Sequence, residues 1–476
     1  PHLVDLSLVP LRRGPTMMAV RRSHHGLFVI LGLASLVPYL YALSLGDLRQ
    51  RTVEFVVAFF TAFVLYAGAT VLALRSESFS RRALLTSFAV AMAIQALLLF
   101  SRPTISDDMY RFVWDGRVQA QGISPYQYPP DAPELRALRD KEVWPLINRR
   151  EALTVYPPGA EMTFALLWRI GPDSVRWFQA VMATGGMLAG GLLLGLLRAL
   201  GRSPARVLVY LWSPLLAFET AHAAHVDGLV LPLLVGAWWA RVRERDGLVG
   251  LLLGLATALK LYPILLLPAL WRPRHSRGRW QLPLACALGL GVCYLPYVWS
   301  NGSQVLGYLT RYFGERFNMG LASQLIPQLE RLGLDPDLGV LGLTLGVLAL
   351  LGLMMVLRPA VSGEVAVRRC AWLICAFTLL TQNLFSWYLL WLLPLVALFV
   401  RPGRLLGLRA DAWTGWWLFC GLVALSYTFF IRWQPVPAAL WAQFVPLYGL
   451  LLWDAGRFLW RKRFDWQGIR KELASS

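Results

Sequence analysis

The sequence predicts an all-α polytopic membrane protein of about 12–14 transmembrane helices. Three observations predict it. Of the 476 residues 57 % are hydrophobic and only 15 % are charged, against about a quarter charged in ordinary soluble domains. Apolar runs of about 17–25 residues recur, each long enough to cross a hydrocarbon core of roughly 30 Å. The Trp and Tyr residues, 21 and 16 in number, cluster near the ends of these runs, where the membrane interface favours amphipathic rings.

The expected spans lie near 26–45, 53–74, 83–100, 174–198, 206–221, 227–240, 247–260, 262–271, 280–299, 337–357, 368–383, 385–400, 411–431 and 437–456. Residues 1–16 lack a helical pattern and are set aside as an upstream extension. Residues 27–45 follow Arg21 and Arg22 as a signal peptide would. They run long and lack a small-residue cleavage site, so they are read as a first span. The pair 247–260 and 262–271 is ambiguous, because Pro263 breaks the helix after Tyr262 and the second member is too short to span alone.

Two polar segments interrupt the spans, Ser101 to Asp173 and Ser300 to Asp337. Within the first, residues 158–170 are apolar but only about 13 long, which suits an interfacial helix better than a span. With that segment non-spanning, the clusters Arg21–Arg22, Arg81–Arg82, Arg198–Arg206, Arg241–Arg245, Arg272–Arg279, Arg368–Arg369, Arg401–Arg409 and Arg457–Lys471 fall on one side. The positive-inside rule then places both termini in the cytoplasm and both long loops outside. The expected organisation is a cytoplasmic tail over 1–25 and an extra N-terminal transmembrane hairpin over 26–80. A transmembrane catalytic domain follows over 81–456, with outer loops 101–173 and 300–337 and juxtamembrane helices in the first, and a basic tail over 457–476.

The net charge of +19 does not point to nucleic acid, because the basic residues sit in short clusters between apolar runs rather than on one stripe. The five cysteines, Cys286, Cys293, Cys370, Cys375 and Cys420, all lie in apolar runs and form neither a zinc spacing nor a disulfide framework. No Gly-rich phosphate loop follows a strand, so no nucleotide-binding domain is visible. No metal or other cofactor is expected.

The chemistry-bearing stretch begins directly after the third span. Ser106 reads as a helix N-cap, so Asp107 and Asp108 open a helix at the membrane surface. A purely structural account exists, since the helix dipole favours carboxylates in a first turn. That account leaves the long, aromatic, charge-balanced loop unexplained. His222, His225 and Asp227 form a second group between two apolar runs. Metal binding would need a third ligand that no motif supplies. Lys260 is one of only four lysines in an Arg-dominated chain and ends an apolar run at a Pro-broken hairpin, where snorkelling is the alternative role. Arg316 lies in the second outer loop beside Glu315, with which it would pair as an ordinary surface charge. Trp387, Tyr388 and Trp391 near an outer helix end suit either sugar stacking or an aromatic belt.

The segments Asp107-Asp-Met-Tyr-Arg-Phe-Val-Trp-Asp-Gly-Arg117, Gly122-Ile-Ser-Pro-Tyr126 and Tyr156-Pro-Pro158 resemble the first outer loop of bacterial GT-C glycosyltransferases. They are most like the family-87, polyprenyl-phosphate-mannose-dependent mannosyltransferases. His225-Val-Asp-Gly228, Lys260-Leu-Tyr-Pro263 and Ser386-Trp-Tyr-Leu-Leu-Trp-Leu-Leu-Pro394 extend the likeness, which runs from about residue 83 onward. Ser386 departs from it, where the family usually shows Pro.

The resemblance implies a GT-C-like multi-pass enzyme of a bacterial plasma membrane, its active site facing outward. It would transfer a sugar, mannose in the nearest relatives, from a polyprenyl-phosphate donor to a lipid or glycan acceptor. The catalytic base maps to Asp107 or Asp108, with a slight preference for Asp107. Arg111, Lys260, Arg316 and His225 are candidates for the donor phosphate, and Tyr156, Asp227, Asn318, Trp387 and Tyr388 complete the expected substrate site. A single displacement would invert the anomeric centre. Adjacent helical residues diverge by about 100° and so cannot flank one bond for a double displacement. Two alternatives stand beside this reading. One is a transporter or flippase, which would favour repeated halves and mid-span charges, neither evident here. The other is a related transferase with a pentose or aminoarabinose donor.

Overall fold

The computed structural model describes residues 23–76, 79–272, 278–308 and 314–475. Most of the expected 1–25 tail and the centre of the Arg272–Arg279 cluster lie outside the described residues.

The chain is an all-α polytopic membrane protein. Three helices open it: α1 (Ser23–Ser44), α2 (Thr52–Arg75) and α3 (Arg81–Leu98). Their outward faces carry exposed Ile30, Leu33, Val57, Val64 and Met92, as lipid contact requires, while Phe55, Phe59 and Tyr66 point inward. Among the described residues seven helices are long and apolar enough to cross a membrane: these three, Val175–Ala199, Gln281–Leu306, Pro336–Leu357 and Ala412–Ile431. The last of these turns from α-helix to 3-10 helix at Val423. The other expected spans are present as shorter, broken or more charged helices. The run 206–221 is split into Val207–Leu211, Pro214–Ala217 and a π-helical turn Phe218–His222. The run 247–260 is the helix Asp246–Leu259, and 262–271 is a 3-10 turn, Tyr262–Leu266, leading into one short helical turn. The run 385–400 starts as a 3-10 helix over Ser386–Trp391. The final span continues as helix through Ser475.

The breaks have a common reason. Irregular backbone at membrane depth is tolerated only where protein buries it or it lines a cavity; three of the irregular segments, around Tyr262, Ser386 and Tyr427, line one interior cavity, and the fourth, 207–222, is wholly buried in protein.

The first long loop is folded. It contains α4 (Asp108–Ala120) and α5 (Pro158–Ile170), the second matching the 13-residue segment read as non-spanning. α4 and α5 pack through the stacked rings of Phe112 and Phe164, 4.4 Å apart. Gly116 permits this approach, since a Cβ there would lie 2.6 Å from the Phe164 carbonyl oxygen. A second close crossing places α6 (Val175–Ala199) against the helix Asp227–Val242. A Cβ on Gly185 would meet the Gly228 oxygen at 2.3 Å, so only glycine fits, as in tight membrane-helix crossings. That crossing fixes the start of the second helix and with it Asp227.

Candidate functional site

The cavity between the first long loop and the broken helices holds about 910 Å³. It is lined by Asp107, Asp108, Arg111, Tyr156, His225, Asp227, Lys260, Arg316, Trp387 and Tyr388. These residues span nearly 300 positions of chain, so their convergence is a property of the fold rather than of any one motif. Asn318 is not among the lining residues. It is buried beside them and donates from Nδ2 to Gln443 Oε1 at 3.0 Å.

Asp107, not Ser106, is the N-cap of α4, and its side chain makes no capping bond. Ser106 Oγ instead accepts from the Asp108 N–H at 3.4 Å. The Asp107 carboxylate is therefore not spent on opening the helix. Its Oδ2 accepts from Arg49 Nη1 at 3.3 Å, and its Oδ1 from Asn148 Nδ2 at 3.0 Å. The same Asn148 amide donates to Asp108 Oδ1 at 2.9 Å, which ties the two carboxylates together. Asp108 Oδ2 lies 3.9 Å from His225 Nε2, beyond hydrogen-bonding distance. Among the described residues it is the one oxygen of this pair with no hydrogen bond.

Arg49 and Asn148 were not legible in the sequence. Arg49 sits between α1 and α2, in the hairpin read as extra, and its guanidinium lies 4.8 Å over the Phe430 ring. The N-terminal hairpin thus contributes a lining residue to this cavity. Asn148 lies in none of the motifs that carry the resemblance.

The cations have distinct settings. Lys260 Nζ donates to Asp227 Oδ2 at 2.6 Å and lies 5.3 Å over the Tyr388 ring and 5.5 Å over that of Trp391. Asp227 is fully buried and takes a second hydrogen bond from Trp391 Nε1 at 2.5 Å. Lys260 is therefore paired rather than merely snorkelling. Arg111 Nε is 2.8 Å from both Asp115 oxygens, and its Nη1 reaches the Ala152 carbonyl at 3.1 Å. Its Nη2 has no partner among the described residues. Arg316 does not pair with Glu315. It bonds Asp337 at 2.8 Å, while Glu315 bonds Arg149 at 2.7 Å, because the second loop folds back over the first.

Behind Arg111 lies a second buried acid, Glu161, which takes hydrogen bonds from Thr154 Oγ1 at 2.7 Å and Gln119 Nε2 at 3.0 Å. Burial, and then the neighbouring Asp115 carboxylate, push the Glu161 carboxyl well above its usual range. Burial also raises Asp115, against the pull of Arg111. Burial and mutual repulsion thus disfavour charge on both carboxylates, and Arg111 opposes this.

The remaining wall is aromatic. Trp387 stacks on His225 at 3.9 Å, Phe385 on Trp387 at 4.3 Å, and Tyr388 on Trp391 at 4.7 Å. Tyr156 packs edge-on to Phe112 at 4.8 Å. Among the described residues no group of three or more His, Cys, Asp or Glu side chains is placed to hold a metal ion.

The polytopic helical fold thus encloses one cavity in which a carboxylate pair, cations and stacked aromatics meet. Residues 154–386, just under half of the chain, match the sequence model of the family described as glycosyltransferase family 87; the stretch holds Tyr156, His225 and Lys260 and begins after Asp107 and Asp108. The chain is also similar to GPI mannosyltransferase 1 of Aspergillus fumigatus, 31 % identical over 125 residues, or 25 % of this chain and 29 % of that protein. GPI mannosyltransferase 1 of Gibberella zeae is 33 % identical over 96 residues, 19 % of this chain and 22 % of that one. The chain thus aligns with less than a third of the length of these curated relatives. No solved structure matches it.

Proposed function

We propose that this protein transfers a sugar, mannose by preference, from a polyprenyl-phosphate donor to an acceptor hydroxyl at the outer face of a bacterial plasma membrane, with inversion. The observation that carries the reading is the mixed lining of the cavity. It presents the charged side chains Asp107, Asp108, Arg111, Lys260 and Arg316 together with the apolar Leu261, Ile264, Leu265, Leu341 and Leu345, and Leu345 is about half exposed. A ligand with a charged head and a hydrocarbon tail finds partners for both in one cavity. The family match and the mannosyltransferase relatives support the sugar chemistry.

The step needs few parts. An aspartate takes the proton from the acceptor hydroxyl as that oxygen attacks the anomeric carbon, general-base assistance worth roughly 10²–10⁴-fold. The bond from the anomeric carbon to the phosphate oxygen breaks, and its electron pair leaves with the lipid phosphate. Arg111, Lys260 and Arg316 supply preorganised positive charge for that leaving group.

The test is transfer by purified protein from synthetic polyprenyl-phosphate mannose, with a nucleotide-linked mannose in parallel. Transfer from the lipid donor alone is expected. Transfer from the nucleotide sugar, or from neither, would overturn the donor assignment, and use of a pentose donor in preference would change the sugar.

The same reading sets the topology. A cysteine placed at Ala137 should react with a membrane-impermeant reagent from outside, and one at Arg202 should not. Labelling of both from one side would sink the arrangement.

A further inference from the structure

Glu219 lies in the π-helical turn Phe218–His222 and is 1 % exposed. Single π turns often mark functional positions. No Lys or Arg forms a salt bridge with it among the described residues. Its Oε1 accepts from Tyr427 OH at 2.6 Å, and its Oε2 lies 3.1 Å from His225 Nδ1, within reach but without hydrogen-bond alignment, so that neither atom has a hydrogen-bond partner among the described residues. The opposite nitrogen, His225 Nε2, faces Ser106 Oγ at 3.1 Å and Asp108 Oδ2 at 3.9 Å. Trp387 covers one face of the imidazole. Ala224, just before His225 and fully buried, is held at φ +56°. Such a conformation is costly for a residue with a Cβ and persists only where the surroundings enforce it.

The three groups form a line from the protein interior to the cavity: Glu219, His225, Asp108. A buried carboxylate without a cationic partner is expensive. An imidazolium formed next to it would repay that expense.

We propose that Glu219 is a positioning residue for the transfer reaction. It holds His225 with the Nδ1 proton inward and the Nε2 lone pair facing Asp108, so that His225 receives the proton Asp108 takes from the acceptor. The balance is simple. The acceptor O–H bond breaks and its oxygen bonds the anomeric carbon. The proton passes to Asp108 Oδ2 and, once that oxygen closes the 3.9 Å to His225 Nε2, on to the imidazole; Glu219 stabilises the resulting imidazolium, which releases its proton to solvent before the next turnover. Asp108 is thereby restored as a base for the next turnover. The inference rests on the proposed transfer reaction.

Glu219→Gln is nearly isosteric and still accepts from Tyr427. Its amide N–H, however, faces Nδ1 and forces the imidazole proton onto Nε2, which closes the relay. The expected result is a fall in kcat of about a hundredfold or more, as wrong-tautomer variants of other His–carboxylate pairs show. KM for the polyprenyl-phosphate sugar stays unchanged and so does the melting temperature. Glu219→Asp recovers part of the rate. A ¹⁵N spectrum of the His225 ring in the full-length protein should show the tautomer change in Glu219→Gln without any turnover. Wild-type kcat in Glu219→Gln, or an unchanged ring tautomer, would overturn the relay while leaving the transfer reading intact. A wild-type protein that transfers nothing from the lipid donor would remove both.

Discussion

Asp108→Asn should lower sugar transfer by a hundredfold or more, with donor binding preserved. The carboxamide keeps the size of the side chain and can still accept from Asn148, but it cannot take up the acceptor proton. It also removes negative charge near an anionic phosphate, so donor affinity should hold or rise. Asp107→Asn should be milder. Both oxygens of Asp107 are occupied, one by Arg49 and one by Asn148, whereas Asp108 keeps an oxygen directed toward His225. On this ground we propose Asp108 as the base, where the resemblance gave a slight preference to Asp107. If the two carboxylates only opened a helix, Asn would serve nearly as well, and the change would be about 1 kcal/mol of stability or less. Asp107 does not cap α4 through its side chain, so that account predicts even less. Transfer from purified polyprenyl-phosphate sugar, measured for each single variant and the double in matched amounts of folded protein, separates the two. Near-normal transfer by the double variant would exclude a catalytic role and return the chain to the transporter hypothesis.

The division between legible and illegible residues follows the physics of each signal. Apolar run length reports burial in lipid, so the positions of the membrane helices were readable, as was the shortness of α5. Hydropathy carries no information on backbone hydrogen bonding, so it could not show that 206–221, 262–271, 385–400 and 411–431 depart from the α-helix. Pro214 and Pro263 were local hints. The 3-10 helix Ser386–Trp391 starts at Ser386, where the family usually has Pro. Residues in recognisable motifs, such as Asp108, His225 and Lys260, were readable through resemblance. Their supports were not. Glu219 stands in an apolar run with no motif of its own, Asn148 in a polar loop, and Arg49 in a hairpin outside the region matched to the family. Each becomes meaningful only through a contact more than 40 residues away in sequence, except Glu219 with His225, where a π turn brings a near neighbour into line. The pairing of Arg316 with Asp337 rather than Glu315 has the same origin, since adjacent charges on an extended segment need not face one another.

Lys260→Ala should destabilise the protein by about 3 kcal/mol, the lower end of the range for breaking a buried pair. Its partner Asp227 is fully buried, and removal of the ammonium leaves a carboxylate held only by Trp391 Nε1. The lower end applies because Lys260 is 22 % exposed on its side chain and solvent already screens part of the attraction. Loss of transfer in this variant alone would therefore not identify a phosphate ligand, since misfolding would produce it too. Lys260→Met combined with Asp227→Asn separates the roles. The amide still accepts from Trp391, the methionine fills the volume against Tyr388, and no buried charge remains unpaired, so most of the lost stability should return. If Lys260 also touches the donor phosphate, the double variant should be stable yet need a much higher concentration of lipid-linked sugar to reach half its maximal rate, because a charge contact to phosphate is gone. Melting temperature in detergent and a donor titration, run on the single and double variants together, give both readings. A double variant that is stable and saturates at the wild-type donor concentration would confine Lys260 to holding Asp227. A single Lys260→Ala variant as stable as wild type would show that the pair contributes nothing to the fold.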